Sequence, residues 1–269
     1  MNLYFVPMVP SLIVFIFGAI VGSFLNVCIV RLPKDKSIVN PPSHCPECKT
    51  PIPFYDNIPL LSYLFLKGHC RFCKGRISPR YFVVELLMAS LAVALLHRVG
   101  LGFAFFIGFI FVAALIVISF VDLAVRIVPD VISLPGIGLG FLLSIVSYLW
   151  SLDPRAVIPS PLSSVLGIVV GGGILILTAW AYEFFSGVEG MGGGDIKLLA
   201  MIGAFLGWPS VPVALFAGSL VGSIVGVGFM VVKGFDRKTA LPFAPSLCLG
   251  ALIYLFFGKE LIRFYLPMG

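Results

Sequence analysis

Charged side chains are scarce in this chain: Asp, Glu, Lys and Arg make up 11% of 269 residues, while 59% are hydrophobic and the mean hydropathy is +1.11. A soluble domain of this size has too little interior to hide that much apolar surface, so a membrane protein is expected. A basic stretch ahead of the first apolar run is also missing. "MNLYFVPMVPSLIVF" carries no cation, and the first one in the chain is Arg31. The opening segment is therefore not read as a cleavable signal peptide, which begins with positive charge. No G-x-G-x-x-G links a strand to a helix, which argues against a Rossmann-type nucleotide domain.

Long apolar runs are what the chain has in place of charge. About 20 apolar residues suffice to cross a bilayer core of about 30 Å as a helix, whose backbone polar groups bond internally. Eight candidate spans lie near residues 8–30, 81–98, 102–122, 131–150, 163–185, 196–208, 210–232 and 243–263, with 196–208 short for a crossing. The expected fold is an all-α polytopic membrane protein with about eight transmembrane helices and a small polar insert. Its divisions are a first helix over 1–30, an insert over 31–80 and a membrane core over 81–269.

Cytoplasmic loops carry excess Lys and Arg. The insert holds nine: Arg31, Lys34, Lys36, Lys49, Lys67, Arg71, Lys74, Arg76 and Arg80. With segment one starting outside, the other connections on the same side add Arg126, Lys197, Lys233, Arg237 and Lys238, and the opposite side keeps only Arg98, Arg155, Lys259 and Arg263. This places both termini outside the cytoplasm and accounts for the net charge of +6 as a topology signal, without nucleic-acid binding.

The insert contains "CPEC" (Cys45, Cys48) and "CRFC" (Cys70, Cys73), two Cys-x-x-Cys pairs separated by 21 residues. Four thiolates from two such pairs can surround Zn²⁺ tetrahedrally, and a polar segment of this size needs metal to fold. Two disulfides or four free thiols are the alternative; a reducing cytoplasmic location weighs against disulfides. A four-cysteine shell leaves no coordination position for water, so the zinc reads as structural. Cys28 and Cys248 fall within apolar runs and read as small buried hydrophobes.

Carboxylates at membrane depth are costly and mark function. Five fit that description: Glu85, Asp122, Asp130, Glu183 and Asp195. Asp122, Asp130 and Asp195 all fall at cytoplasmic ends of spans on the assigned topology. Pro129-Asp130 ahead of an apolar run reads as a helix start with Asp130 as its N-cap. Asp195 also precedes a helix, but a cap does not call for Gly190, Gly192, Gly193 and Gly194 beside it; positive φ and close approach of another chain would. Asp122 ends an apolar run with no capping role. Two aspartates brought together across helices make an acid–base pair for peptide hydrolysis, sharing one proton because both cannot ionise side by side. Spacing alone equally allows a cation or proton path.

Several stretches together resemble the type IV prepilin peptidases, membrane aspartyl peptidases with a G-x-G-D motif. They are "GSFLNVCIVRLP" (22–33), the cysteine pairs, "IPLLSYLFLKGHC" (58–70), "ISPRYFVVEL" (77–86), "VDLAVRIVPDVISLP" (121–135), "EGMGGGDIKLLAMIGAFLGW" (189–208) and "LPFAPSL" (241–247). The resemblance implies that Asp122 and Asp195 are the catalytic pair and that Asp130 is structural. It implies prepilin or pseudopilin substrates in the bacterial inner membrane, cut on the cytoplasmic side after a glycine that ends a short basic leader. The new N-terminal residue, usually Phe, would then be methylated from S-adenosylmethionine. Gly68 and Glu85 are the candidates for the methyl transfer, which rests on the resemblance alone. The family's P-F-G-P reads Pro242-Phe243-Ala244-Pro245 here, a departure expected to leave the aspartates untouched. A peptidase without methyltransferase activity, or a zinc-bearing channel or transporter, are the competing readings.

Overall fold

The computed structural model describes residues 7–152, 158–187, 192–233 and 242–265. Among them the regular elements are helices: α1 (Met8–Arg31), α2 (Leu61–Phe65), α3 (Arg80–Val99), α4 (Phe103–Val125), α5 (Asp130–Leu149), α6 (Pro161–Ser186), α7 (Gly193–Leu206), α8 (Ser210–Lys233) and α9 (Ala244–Tyr265). Eight of these coincide with the eight apolar runs. Six are long and apolar enough to cross a membrane: α1, α3, α4, α5, α6 and α8. The all-α membrane fold expected from the sequence is borne out, and among the described residues α7 and α9 fall outside the six. The 14 residues of α7 rise only about 21 Å at 1.5 Å per residue, short of the core thickness.

The chain divides into two compact units, Asn2–Val117 and, apart from Met1, Ile118–Gly269, with the boundary inside α4.

In the first unit α1 packs along α3, and small residues let the two backbones approach. A Cβ on Gly22 would stand 2.7 Å from the Glu85 Cα, and one on Gly18 would stand 2.8 Å from the Ala89 Cα. Their four-residue spacing puts both on one face of α1, the arrangement that substitutes close packing for a hydrophobic driving force in lipid. Asn26 adds a polar tie, donating through Nδ2 to the Tyr81 carbonyl at 3.0 Å. The polar insert joins these two helices.

In the second unit α6 and α7 meet at Gly167 and Gly203, each of which lies where a Cβ on the other would fall. Ser164 Oγ donates to the Ala204 carbonyl at 2.8 Å in the same seam. Leu198, Leu199, Met201, Ile202 and Ala204 are fully enclosed, so the short α7 is a core helix of its unit.

Candidate active site and thiol cluster

Asp122 lies one turn before the end of α4 and is buried. The helix stops at Arg126, which has φ of 59° and whose N–H donates to the Asp122 carbonyl at 2.8 Å. Asp195 is in the first turn of α7, whose N-cap is Gly192 and carries no capping side chain. Asp195 lies within electrostatic reach of Asp122, so the structure brings together the two carboxylates singled out in the sequence, from a helix C-terminus and a helix N-terminus.

A third helix end completes the arrangement. The Ala244 N–H, at the start of α9, donates to Asp122 Oδ2 at 3.2 Å. The Pro242-Phe243-Ala244-Pro245 stretch therefore reaches one of the two aspartates. The contact is made by backbone, so the departure from glycine at position 244 does not alter the donor. One turn into α9, the buried Cys248 thiol lies near both carboxylates and bonds the Ser119 side chain. Cys248 is the small buried residue it was expected to be, but the polar character of its surroundings was not visible in the apolar run around it.

Asp130 does not cap α5. The N-cap is Pro129, and Asp130 is the first helical residue, with its carboxylate turned to Lys197. Lys197 Nζ donates to Asp130 Oδ1 at 2.7 Å and Oδ2 at 2.8 Å. Because Lys197 is two residues beyond Asp195, this ion pair ties the start of α5 to the start of α7. Pairing with Lys197 takes the place of the capping role.

The glycines beside Asp195 have different roles. Gly190 lies outside the described residues. Among the described ones, Gly192, Gly193 and Gly194 do not take positive φ, so conformational freedom is not their reason. A Cβ on Gly194 would come within 2.9 Å of the Val128 Cβ, which makes it a packing contact between the α4–α5 connection and α7. A Cβ on Gly192 or Gly193 would meet nothing within 4 Å among the described residues, as an approaching chain would need. Glu183 is exposed near the end of α6.

In the insert, the Sγ atoms of Cys45, Cys48, Cys70 and Cys73 all lie within 4.8 Å of one another. Each pair is folded the same way. Cys45 N–H donates to the Thr50 carbonyl and Cys70 N–H to the Gly75 carbonyl, while Lys49 and Lys74 turn the chain with φ of 59° and 60°. The Cys45–Cys73 and Cys48–Cys70 sulfur separations are 3.8 and 4.0 Å. Four sulfurs at Zn–S distances of about 2.3 Å are about 3.8 Å apart in a tetrahedron, so the donor set and its spacing fit Zn²⁺. Hydrogen bonding to Thr50 pulls the Cys48 thiol down to about 6. For Cys73 the Gly75 N–H favours the thiolate, but burial and the neighbouring sulfurs outweigh it and push the thiol up to about 12. Four thiolates this close repel one another without a cation, and a divalent ion relieves the conflict.

Gly68 and Glu85 both have evident structural work. Gly68 has φ of 69°, and a Cβ there would meet the Tyr63 hydroxyl at 2.9 Å. Glu85 is buried and accepts the Leu60 N–H on Oε2 at 2.7 Å. On α1, which packs along the helix that carries Glu85, Asn26 Oδ1 is one of two buried side-chain polar atoms left without a hydrogen-bond partner among the described residues.

Two family models match the chain: the bacterial peptidase A24 N-terminal domain over residues 16–99 and the type IV leader peptidase family over residues 109–227. A prepilin leader peptidase/N-methyltransferase of Aeromonas hydrophila is 36% identical over 278 residues, covering 94% of this chain and 93% of that protein. Proteins of the same description from Pseudomonas aeruginosa and Neisseria gonorrhoeae are 34% identical over 286 residues and 36% over 244. The first match covers 98% of this chain and 96% of the relative, the second 81% and 82%. No solved structure matches.

Proposed function

Because this chain belongs to the type IV leader peptidase family, we propose that Asp122 and Asp195 are the acid–base pair with which it removes the leader of a prepilin. The protein is a bifunctional membrane enzyme, a prepilin leader peptidase and N-methyltransferase. The observation that carries the assignment is that the two carboxylates, from different helices, lie within electrostatic reach of each other while the α9 N-terminus donates to one of them.

The chemistry follows from a pair sharing one proton. A water between the carboxylates attacks the scissile carbonyl carbon while the ionised aspartate takes its proton. The protonated partner gives its proton to the carbonyl oxygen, forming a tetrahedral intermediate. Collapse of that intermediate breaks the C–N bond: the nitrogen leaves with the proton taken from water, and a hydroxyl of the intermediate returns its proton to the other aspartate as the carboxyl product forms, so the pair again holds one proton. The Ala244 N–H fixes Asp122 Oδ2, which leaves Oδ1 for the water and the shared proton. With nothing among the described residues within 4 Å of a Cβ on Gly192 or Gly193, an extended substrate has a way past Asp195.

The cut is read as following the glycine that ends a short basic leader, on the cytoplasmic side of the inner membrane, with prepilins or pseudopilins as substrates and both enzyme termini on the opposite side. The charge asymmetry of the loops supports this orientation. Cys45, Cys48, Cys70 and Cys73 hold a structural Zn²⁺ that folds the insert 31–80 between α1 and the membrane core 81–269. S-adenosylmethionine supplies the electrophilic methyl group for the newly exposed N-terminal amine. Glu85 and Gly68 serve that step by shaping the segment between them: Glu85 holds Leu60, Gly68 closes the turn against Tyr63, and Asn26 Oδ1 remains as a buried acceptor for a bound amine. The test is a full-length preparation incubated with a prepilin and labelled S-adenosylmethionine, with leader removal and methyl incorporation scored separately. Cleavage without label would retain the peptidase reading and remove the methyltransferase assignment of Gly68 and Glu85.

A further inference from the structure

Outside the spans, the insert leaves a run of large apolar side chains uncovered: Phe54, Ile58, Leu61, Leu64 and Phe65. Three of them belong to α2, where Leu61, Leu64 and Phe65 are 51%, 59% and 82% exposed and, at i, i+3 and i+4, share one helix face. A small water-surrounded domain does not keep such a face open without something to cover it.

The position of α2 relative to α3 says what that is. The Leu60 N–H, immediately before α2, donates to Glu85 Oε2. Glu85 is five residues into a membrane span, about 7.5 Å along its axis from Arg80. Leu60 holds φ of 62°, an unfavourable value for leucine that needs an anchor to persist, and this bond is one. The Tyr63 and Phe82 rings are 5.5 Å apart, a second tie between α2 and the first turn of the span. The same region of α3 turns Val83, Leu86 and Leu87 outward, where a spanning helix meets lipid. The open face of α2 therefore starts beside a lipid-facing surface at the depth where a bilayer's headgroups give way to its acyl chains.

Charge agrees with that location. The insert carries nine basic and three acidic residues, with Lys67 just after α2 and Arg80 at the head of α3. Basic side chains beside an apolar helical face favour an interface that contains anionic lipid. We propose that the segment from Phe54 to Phe65 is an interfacial strap. It lies in the plane of the membrane in which the protein sits, with Leu61, Leu64 and Phe65 inserted among the lipids. The insert is then held against the bilayer at a third point besides its two covalent connections to α1 and α3.

The experiment is Phe65→Trp in the full chain with Trp150, Trp180 and Trp208 replaced by Phe, reconstituted in nanodiscs of phosphatidylethanolamine and phosphatidylglycerol. Emission is recorded with lipids brominated near the headgroup end of their acyl chains and, separately, with aqueous iodide. The strap predicts a several-fold loss of emission with the brominated lipid and little loss with iodide. Quenching by iodide alone would overturn it, because the residue would face water. Protection from both quenchers would overturn it as well, because protein and not lipid would cover the face. Leu64→Trp repeats the reading at an independent position, and circular dichroism matching the parent protein establishes that each variant is folded.

Discussion

The amide of Ala244 donates to Asp122 Oδ2 at 3.2 Å, between residues 122 positions apart in the chain. A backbone donor at the first turn of α9 thus holds one carboxylate of the proposed pair in place. Replacing Ala244 by proline deletes the N–H at a helix position that tolerates proline. Losing a hydrogen bond to a carboxylate costs about 1.5–3 kcal/mol, or about 10- to 100-fold in rate if the bond orients the reacting group. Ala244→Pro is expected to slow leader cleavage by that order without changing methylation of a pre-cut substrate. Ala244→Gly, which keeps the donor, is expected to cleave at close to the parent rate.

The Asp130–Lys197 pair makes a milder prediction. Both side chains are substantially exposed, and exposed ion pairs are worth about 1 kcal/mol or less. Lys197→Met and Asp130→Asn should each lower cleavage by no more than about five-fold. The double variant should match either single one, since both remove the same tie between α5 and α7. Additive losses in this cycle would mean that the residues act separately.

Gly22 is placed so that any side chain collides with α3, its Cβ falling 2.7 Å from the Glu85 Cα. Gly22→Ala is expected to destabilise the protein by about 1–3 kcal/mol, seen as a lower midpoint in thermal unfolding. The displaced segment carries Glu85, so methyl incorporation should fall by a larger factor than leader cleavage.

Metal analysis addresses the insert. The parent protein is expected to hold one zinc per chain, and Cys45→Ser combined with Cys48→Ser to hold none, with faster proteolysis confined to residues 31–80. The four sulfurs supply a closed shell, so zinc removal should leave cleavage by the aspartates measurable.

How much of this was legible in the sequence depends on the kind of signal. The eight apolar runs coincide with eight helices because burial in lipid needs uninterrupted hydrophobicity, and the cysteine spacing foretold a cluster because metal ligands come in short local pairs. Asp122 and Asp195 stood out because an ionisable group at the end of an apolar run is expensive. The Ala244 donor was not legible, since every non-proline residue has the same N–H. The Asp130–Lys197 pair was hidden by a separation of 67 residues, while the local Pro-Asp pattern pointed to a cap. The shortness of α7 was visible, but its enclosure as a core helix depends on Gly167 meeting Gly203, a contact between two glycines in separate apolar runs.

The central claim is tested most directly by the rate of leader removal from a purified prepilin by Asp122→Asn and Asp195→Asn, each compared with the parent protein in the same lipid and each scored in parallel for methylation of a pre-cut substrate. Each substitution keeps the shape of the side chain and removes its ability to take or give the shared proton. The account predicts no detectable cleavage by either variant and methylation retained in both. Leader removal at the parent rate by either one would contradict it.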